Sequence, residues 1–303
     1  MSTLQSFAPI VLAFLLTTPA TAHPSSGIVV DKDGNVFIAE LSRGLLKIDP
    51  KGKVSTVNKE AGHWLGLDRD GAFAGVDFQK SAHWPRWFKR RTADAARPVL
   101  ITDGGSPLVI SADGNLYYVA SGDEYKPGGH RIARLTPDGK LSLLTPDLHK
   151  KSEELGGIKG LAVGPDDSFY ITYPGAVFQV AKDGKITALA NPVVVEDCDK
   201  HPENIKDAPH LRGLTVDTRG NVYVAATGCR RVVKITPRGR VTVVLKSEAP
   251  WSPSGVALHN EDLYVLEHVN ANSEGHEDWA PRVRKLAPDG KVTTLATFFD
   301  PKR

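Results

Sequence analysis

The chain has 303 residues, of which 41% are hydrophobic and 24% charged, so it is long enough to bury a full core. Its formal net charge is only +3 at pH 7, and it has no run of five or six like charges, which argues against nucleic-acid binding. Two cysteines and one methionine exclude a disulfide-dense scaffold and a zinc site built from several cysteines.

The first segment of the chain differs from the rest. An apolar run from Phe7 to Leu16 is followed by Ala20-Thr21-Ala22, which is typical of a secretory signal peptide (residues 1–22) cleaved before His23. The run is shorter than the roughly 20 apolar residues that cross a bilayer. The usual basic residue at the start is missing, so an uncleaved anchor or a disordered start is the alternative. We expect a secreted or periplasmic protein whose mature part, residues 23–303, has no membrane span.

A module of two apolar runs joined by a tight turn recurs along the chain. The copies that begin at Gly27 (GIVVDKDGNVFIA) and Gly213 (GLTVDTRGNVYVA) are the most alike, and further copies begin near residues 64, 107, 160 and 255. The turns are rich in Asp, Asn and Gly, which supply the positive-φ positions that a β-hairpin needs. A third strand, a second glycine-containing turn and a β-branched fourth strand complete most copies.

Six such units predict an all-β fold, namely a six-bladed β-propeller with four-stranded antiparallel blades in a single domain. Their spacing of about 47 residues agrees with the roughly 40–50 residues of propeller repeats. The second unit is the most degenerate, since it lacks the second glycine turn, and we expect its fourth strand near Val99 to Thr102. An open sandwich is the competing architecture, but it would not repeat one module so faithfully.

The repeat also has a family likeness. The pattern GxAVDxxGNVYVA followed by RVxKITPxGxVT resembles the NHL repeat, and it is similar to the six-bladed propellers around SMP-30/gluconolactonase, the streptogramin lyases and the amidating lyases. The resemblance covers residues 27 to 296. It implies the propeller fold but says little about chemistry, because one scaffold hosts many functions.

Insertions and unusual residues gather on one expected face of the propeller. The long loops Ser121–Arg131, Ala190–Leu211 and Glu267–Arg282 should crown one rim, where binding sites commonly lie. The tryptophans map to the same rim, which fits a ligand platform or the packing that long loops need. Cys198 and Cys229 fall there as well. An oxidising compartment predicts a disulfide between them, and two free thiols are the alternative.

The residues just before the six innermost strands should surround the mouth of the central channel. These positions are Ser26, His63, Ser106, Lys159, Arg212 and Ser254. Three of them can carry positive charge, three are hydroxyls and none is acidic, so the ring suits a small anionic ligand. Arg212 is able to hold a carboxylate through two hydrogen bonds, and Lys159 acts as a point charge. The alternative is that these side chains form ion pairs with acidic residues of nearby loops.

The family comparison bears on a metal at the same mouth. In SMP-30/gluconolactonase enzymes a divalent metal is held by Glu, Asn and Asp at the starts of innermost strands. The positions that resemble them here are Ser26, Lys159 and Arg212. Two cations repel calcium, so the resemblance favours the fold and argues against that metal site.

A divalent metal, calcium or zinc, has weaker candidate ligands elsewhere. The similar lyases use a metal at the top of the channel with His or acidic partners, which implies that His63, His210 and His268 converge there. Glu267, His268 and the loop that follows them offer further ligands. No HExxH or equivalent spacing supports a site at either place.

No nucleophile stands out in the sequence, since a GxSxG elbow, a glycine-rich phosphate loop and an HExxH helix are all absent. The candidates for general acid or base are three acidic residues that end second strands and two histidines: Glu40, Asp77, Glu267, His63 and His210. The acids have an alternative role, which is to balance Arg43, Arg282 and Arg284.

The predicted function is binding of a small anion at the channel mouth, such as a sugar acid, its lactone or a carboxylated glycan end. If the ligand is turned over, hydrolysis of an ester or lactone, or a lyase elimination, is the expected reaction. A non-catalytic module that binds a protein or a glycan is the alternative.

Overall fold

The computed structural model describes residues 25–41, 43–59, 62–68, 70–73, 89–92, 99–103, 106–120, 130–198, 209–269 and 280–298. Within these residues the chain forms five four-stranded antiparallel sheets and one three-stranded antiparallel sheet. No helix in these ranges is long and apolar enough to cross a membrane.

The sheets are built from strands that follow one another in sequence. The first sheet consists of β1 (Ile28–Val30), β2 (Val36–Glu40), β3 (Gly44–Ile48) and β4 (Val54–Asn58). The second sheet consists of β5 (Trp64–Asp68), β6 (Lys89–Thr92) and β7 (Val99–Asp103). The third sheet consists of β8 (Leu108–Ile110), β9 (Leu116–Ala120), β10 (Arg131–Leu135) and β11 (Leu141–Leu143). A short helix, α1 (His149–Leu155), precedes the fourth sheet.

The last three sheets have the same up-and-down order. The fourth sheet consists of β12 (Gly160–Val163), β13 (Phe169–Tyr173), β14 (Ala176–Val180) and β15 (Ile186–Ala190). The fifth sheet consists of β16 (Leu211–Val216), β17 (Val222–Ala226), β18 (Arg231–Ile235) and β19 (Val241–Lys246). The sixth sheet consists of β20 (Trp251–His259), β21 (Asp262–Val269), β22 (Pro281–Leu286) and β23 (Val292–Thr297). A 3-10 turn, Thr227–Cys229, connects β17 to β18. The all-β propeller with four-stranded antiparallel blades is thereby confirmed.

The repeated turn sequence forms the same hydrogen bonds in different sheets. In the first sheet, Asp31 Oδ1 accepts the backbone N–H groups of Asp33 (3.0 Å) and Asn35 (2.8 Å). In the fifth sheet, Asp217 Oδ1 accepts those of Arg219 (2.9 Å) and Asn221 (2.8 Å). The glycine of each turn has positive φ, as the hairpin requires.

The second sheet departs from the predicted blade. We expected Val99 to Thr102 to form an outer, fourth strand, but β7 pairs directly with β5, and β6 pairs with the other edge of β7. The apolar sequence Val99-Leu100-Ile101 suits the inner position, whereas the basic sequence KRRT of β6 suits the edge of a sheet. The blade count of six stays a prediction, because the described part of this sheet has three strands.

The first strands of the sheets lie innermost. β1, β5, β8, β12, β16 and β20 contact one another in chain order, and β20 in turn contacts β1. The first and last sheets join through apolar side chains such as Ile28, Val36 and Leu266. No strand is exchanged between the described sheets, so the ring closes by side-chain packing between β1 and β20.

The innermost strands enclose a channel with different ends. Its middle is a cavity of about 170 Å³ lined largely by apolar residues such as Leu67 and Val256. The end at the hairpin turns opens into a second cavity of about 790 Å³, whose acidic lining residues are Asp68, Asp70, Asp113, Asp167 and Asp217. The residues that precede the innermost strands lie at the opposite end.

Candidate functional site

The backbone brings neighbouring members of the predicted ring together. The N–H group of Ser26 donates to the carbonyl oxygen of His63 (3.1 Å). A Cβ placed on Gly255, which follows Ser254, would lie 2.3 Å from the carbonyl oxygen of Ser26, and one on Gly213 would lie 3.0 Å from that of Ser254. The starts of these strands therefore approach one another too closely for any side chain but glycine.

The backbones at Lys159 and Arg212, two cationic residues of the ring, approach each other in the same way. A Cβ on Gly160, which follows Lys159, would lie 2.6 Å from the carbonyl oxygen of Arg212. The hydroxyl of Thr172 donates to that carbonyl (2.7 Å), and the N–H group of Lys159 donates to the carbonyl oxygen of Thr172 (2.7 Å). The backbones that carry both cations are thus fixed relative to each other.

The charge of Arg212 acts on three other ionisable side chains at the mouth. Burial lowers the pKa of Arg212 to about 10. Its charge lowers the pKa of His63, Lys159 and His268, in each case as a smaller contribution than the burial of the group itself. We call these four residues the mouth cluster; Ser26, Ser106 and Ser254 complete the predicted ring.

His268 was predicted only as a weak metal ligand. Its side chain is fully buried, Nδ1 lies 3.1 Å from Oγ of Ser254, and Nε2 has no hydrogen-bond partner within the described ranges. Burial and then the charge of Arg212 lower its pKa to about 3, so the imidazole is neutral at physiological pH. A bulge between Pro253 and Gly255 in the pairing of β20 with β21 brings His268 beside Ser254, and the sequence contains no signal of that bulge.

Glu267 belongs to a different cluster from its neighbour His268. Its buried carboxylate accepts hydrogen bonds from Arg282 Nε (2.7 Å), Arg284 Nε (2.8 Å) and the hydroxyl of Ser247. Arg282 also stacks on Trp251, with 4.3 Å from its guanidinium carbon to the ring centroid. Glu267 therefore balances the two arginines, which is the alternative role that the sequence left open for it.

Of the remaining acid and base candidates, Glu40 and His210 are among the described residues. The carboxylate of Glu40 accepts the backbone N–H group of Arg43 (2.8 Å). His210 has positive φ, and its carbonyl oxygen accepts the N–H group of Thr227 (3.2 Å). Asp77 and the loop that follows Val269 are outside the described residues.

The two cysteines form the predicted disulfide, Cys198–Cys229. Cys229 lies in the buried 3-10 turn, and Arg231 Nη2 donates to the carbonyl oxygen of Asp197 (3.2 Å) beside the other cysteine. The disulfide therefore ties the loop before β16 to the turn after β17.

The residues of the mouth do not suit a divalent cation. Lys159 and Arg212 of the mouth carry positive charges, which repel such an ion. In the part of the chain that the structure describes, no three His, Cys, Asp or Glu side chains lie together as a metal site would require. His63, His210 and His268 accordingly do not form one there, nor do Glu267 and His268.

The fold and the mouth together define a β-propeller with cations and neutral histidine at one end of its channel. Residues 103–268 match the family model described as SMP-30/Gluconolactonase/LRE-like region. The match covers more than half of the 303 residues, and the chain belongs to this family.

The individual relatives share a low sequence identity with this chain. A virginiamycin B lyase from Nocardia farcinica is 27% identical over 203 residues, which is 62% of this chain and 62% of the lyase. A gluconolactonase from Xanthomonas campestris superposes with a TM-score of 0.52 at 18% identity over 80% of this chain and 83% of that one. Regucalcin from Agrobacterium tumefaciens, a calcium-binding protein, gives 0.52 at 14% identity over 85% and 87%. At these identities the two structures show the shared fold alone.

Proposed function

We propose that the mouth cluster binds the ester group of a small ester or lactone and promotes cleavage of that ester bond. The observation that carries this proposal is the grouping of Arg212, Lys159 and two histidines at one mouth of the channel. Cleavage of an ester, by hydrolysis or by elimination, releases a carboxylate, and Arg212 and Lys159 are suited to hold it.

His268 is the proposed proton acceptor. In hydrolysis, water attacks the carbonyl carbon, one of its protons passes to Nε2, and the leaving alkoxide takes up a proton. In elimination, Nε2 takes a proton from the carbon next to the one that bears the ester oxygen. A C=C bond then forms and the C–O bond breaks to release the carboxylate. Burial and then the charge of Arg212 lower the pKa of His268. As the product carboxylate forms beside Arg212, its negative charge offsets that repulsion and stabilises the protonated imidazole.

The relatives support these two reaction types without choosing between them. One is named a virginiamycin B lyase, and the family description includes gluconolactonase. Both names refer to compounds with an internal ester. The substrate proposed for this chain is accordingly a lactone, either a sugar lactone or a cyclic peptide ester.

The first experiment incubates the purified protein with glucono-1,5-lactone and with virginiamycin B and follows the products by mass spectrometry. Hydrolysis adds the mass of one water, whereas elimination leaves the mass unchanged. Arg212→Met and His268→Gln should abolish product formation while the protein stays folded by circular dichroism. Arg219→Met, an exposed arginine at the hairpin end, is the matched control.

Two outcomes would overturn the catalytic proposal. Full activity in Arg212→Met would remove the mouth cluster from the reaction. Binding of D-gluconate without turnover of either lactone would favour the non-catalytic ligand-binding module instead.

The architecture and location are part of the proposal. The second sheet is proposed as a sixth blade, since β5 occupies the place between β1 and β8 in the ring of innermost strands. Export is supported by the apolar start of the chain and by the disulfide Cys198–Cys229. N-terminal sequencing of the exported protein should read His23 first, and a protein that still begins at Met1 would contradict removal of residues 1–22.

A further inference from the structure

Two buried threonines lie near the ends of second strands in neighbouring sheets. Thr172 lies near the end of β13 and is 0% exposed, and Thr227 follows β17 directly and is 2% exposed. Each hydroxyl donates to a backbone carbonyl of the next sheet rather than of its own sheet. Both threonines therefore link neighbouring sheets at the mouth of the channel.

Thr172 joins the two cations of the mouth cluster. Its hydroxyl donates to the carbonyl oxygen of Arg212 (2.7 Å), and its own carbonyl oxygen accepts the N–H group of Lys159 (2.7 Å). Gly160 makes room for this arrangement, since a Cβ there would lie 2.7 Å from the hydroxyl oxygen of Thr172. Thr172 thus links the backbones that carry both charges, through its side chain at Arg212 and through its own backbone carbonyl at Lys159.

Thr227 makes the corresponding link one sheet further on. Its hydroxyl donates to the carbonyl oxygen of Pro253 (2.7 Å), the residue before Ser254. Its N–H group donates to the carbonyl oxygen of His210 (3.2 Å), two residues before Arg212. Thr227 thereby connects the backbone before Arg212 with the backbone before the Ser254–His268 pair.

We propose that Thr172 and Thr227 are positioning residues that set the distances of Arg212 from Lys159 and from the Ser254–His268 pair. This inference rests on the proposed function of the mouth cluster. Neither threonine is assigned contact with a ligand. A hydroxyl in place of a methyl group is needed because only the hydroxyl supplies the donor for the carbonyl of the next sheet.

The test compares valine and serine at both positions. Thr172→Val and Thr227→Val keep the shape of threonine but remove the donor, and Thr172→Ser and Thr227→Ser keep the donor. Thr145→Val is the matched control: Thr145 is 4% exposed, and its hydroxyl accepts the N–H group of Ile132 (3.0 Å) beside the outer strand of the third sheet. Thr172→Ala and Thr227→Ala replace the valine variants if those do not fold.

The first readout is D-gluconate affinity by isothermal titration calorimetry. We expect Thr172→Val and Thr227→Val to weaken binding about five- to tenfold, the effect of one hydrogen bond. The serine variants should restore affinity, and Thr145→Val should bind like the wild type. Wild-type affinity in both valine variants, or equal weakening in Thr145→Val, would overturn the positioning role.

The second readout needs no ligand, so it separates this inference from the proposed function. The pKa of the Lys159 ammonium is measured by NMR in ligand-free protein with isotope-labelled lysine. If Thr172→Val lets Arg212 move away from Lys159, the repulsion falls and the pKa of Lys159 rises. An unchanged pKa in Thr172→Val, or the same rise in Thr145→Val, would contradict the inference even if the wild type cleaves a lactone. A rise confined to Thr172→Val would support it even if no lactone is cleaved.

Discussion

Ser254 and His268 form a buried side-chain pair at the start of the last sheet, with 3.1 Å between Oγ and Nδ1. Because the serine engages Nδ1, the orientation of the imidazole is fixed within the sheet and Nε2 is the nitrogen left for a ligand. Arg212 of the preceding sheet lies close enough to help keep the imidazole neutral. The pair therefore couples a rigid proton acceptor to a cation on a neighbouring blade.

The first prediction concerns stability in acid. The pKa of His268 is lowered from 6.5 to about 3 in the folded protein. Between these two pH values the imidazole is protonated in the unfolded chain but stays neutral in the folded protein. The stability that this group contributes is fully present above pH 6.5 and declines as the pH falls toward 3. Urea unfolding from pH 7 to pH 5 should show the decline, and it should be smaller in His268→Leu. His259→Leu, at the hairpin end of the same sheet, should leave the slope unchanged.

The second prediction concerns protons taken up on binding. A carboxylate at Arg212 offsets the charge that lowers the pKa of His63, so the pKa of that histidine rises and it binds a proton. Titration of D-gluconate near pH 6 in two buffers of different ionisation enthalpy should report net proton uptake. A binding heat independent of the buffer would contradict this coupling.

The third prediction separates two carboxylates that contact the same arginines. Glu267→Gln leaves Arg282 and Arg284 buried without their main counter-charge and should lower the free energy of unfolding by about 3–5 kcal/mol. Glu248→Gln removes a carboxylate whose side chain is 60% exposed and should cost less than about 1 kcal/mol. Chemical unfolding of both variants measures the contrast, and equal losses would argue against Glu267 as the centre of the cluster.

The fourth prediction concerns the disulfide. Cys198 and Cys229 are 31 residues apart, and a closed loop of that length stabilises a fold by about 3–4 kcal/mol in the chain-entropy estimate. The double replacement by serine should lower the free energy of unfolding by that amount. Since the chain has two cysteines, a reducing agent should destabilise the wild type similarly and leave the double variant unaffected.

The fifth prediction concerns metal removal. Since the positive charges of Lys159 and Arg212 at the mouth repel a divalent metal, D-gluconate binding should survive exhaustive dialysis against EDTA. Elemental mass spectrometry of the dialysed protein gives the metal content. Loss of binding together with loss of one equivalent of calcium or zinc would show that the ligand depends on a metal.

The sequence predicted the blade because its turns repeat a local hydrogen-bond pattern. Asp31 with Asn35 and Asp217 with Asn221 form matching turns, and such local chemistry is legible without a structure. The strand order of the second sheet was predicted wrongly. Its turn signals are weak, and the pairing of β7 with β5 joins segments that are distant in the sequence.

The site was predicted in part for a similar reason. Lys159 and Arg212 could be placed because both lie at the start of the repeat: Lys159 directly precedes β12, and Arg212 is the second residue of β16. His268 could not, because a bulge between Pro253 and Gly255 shifts the register of β20 against β21. That shift decides which of Glu267 and His268 meets Ser254, and a pattern of alternating residues does not reveal it.

The opposite charges at the two ends of the channel have a kinetic consequence. An anion that arrives at the hairpin end meets the carboxylates of Asp113, Asp167 and Asp217 and then the largely apolar cavity in the middle of the channel. It is therefore repelled before it reaches the cations of the mouth cluster. An anion at the other end meets Arg212 and Lys159 of the mouth cluster. A carboxylate product formed at the mouth cluster must therefore leave past these two cations, and their attraction slows its release.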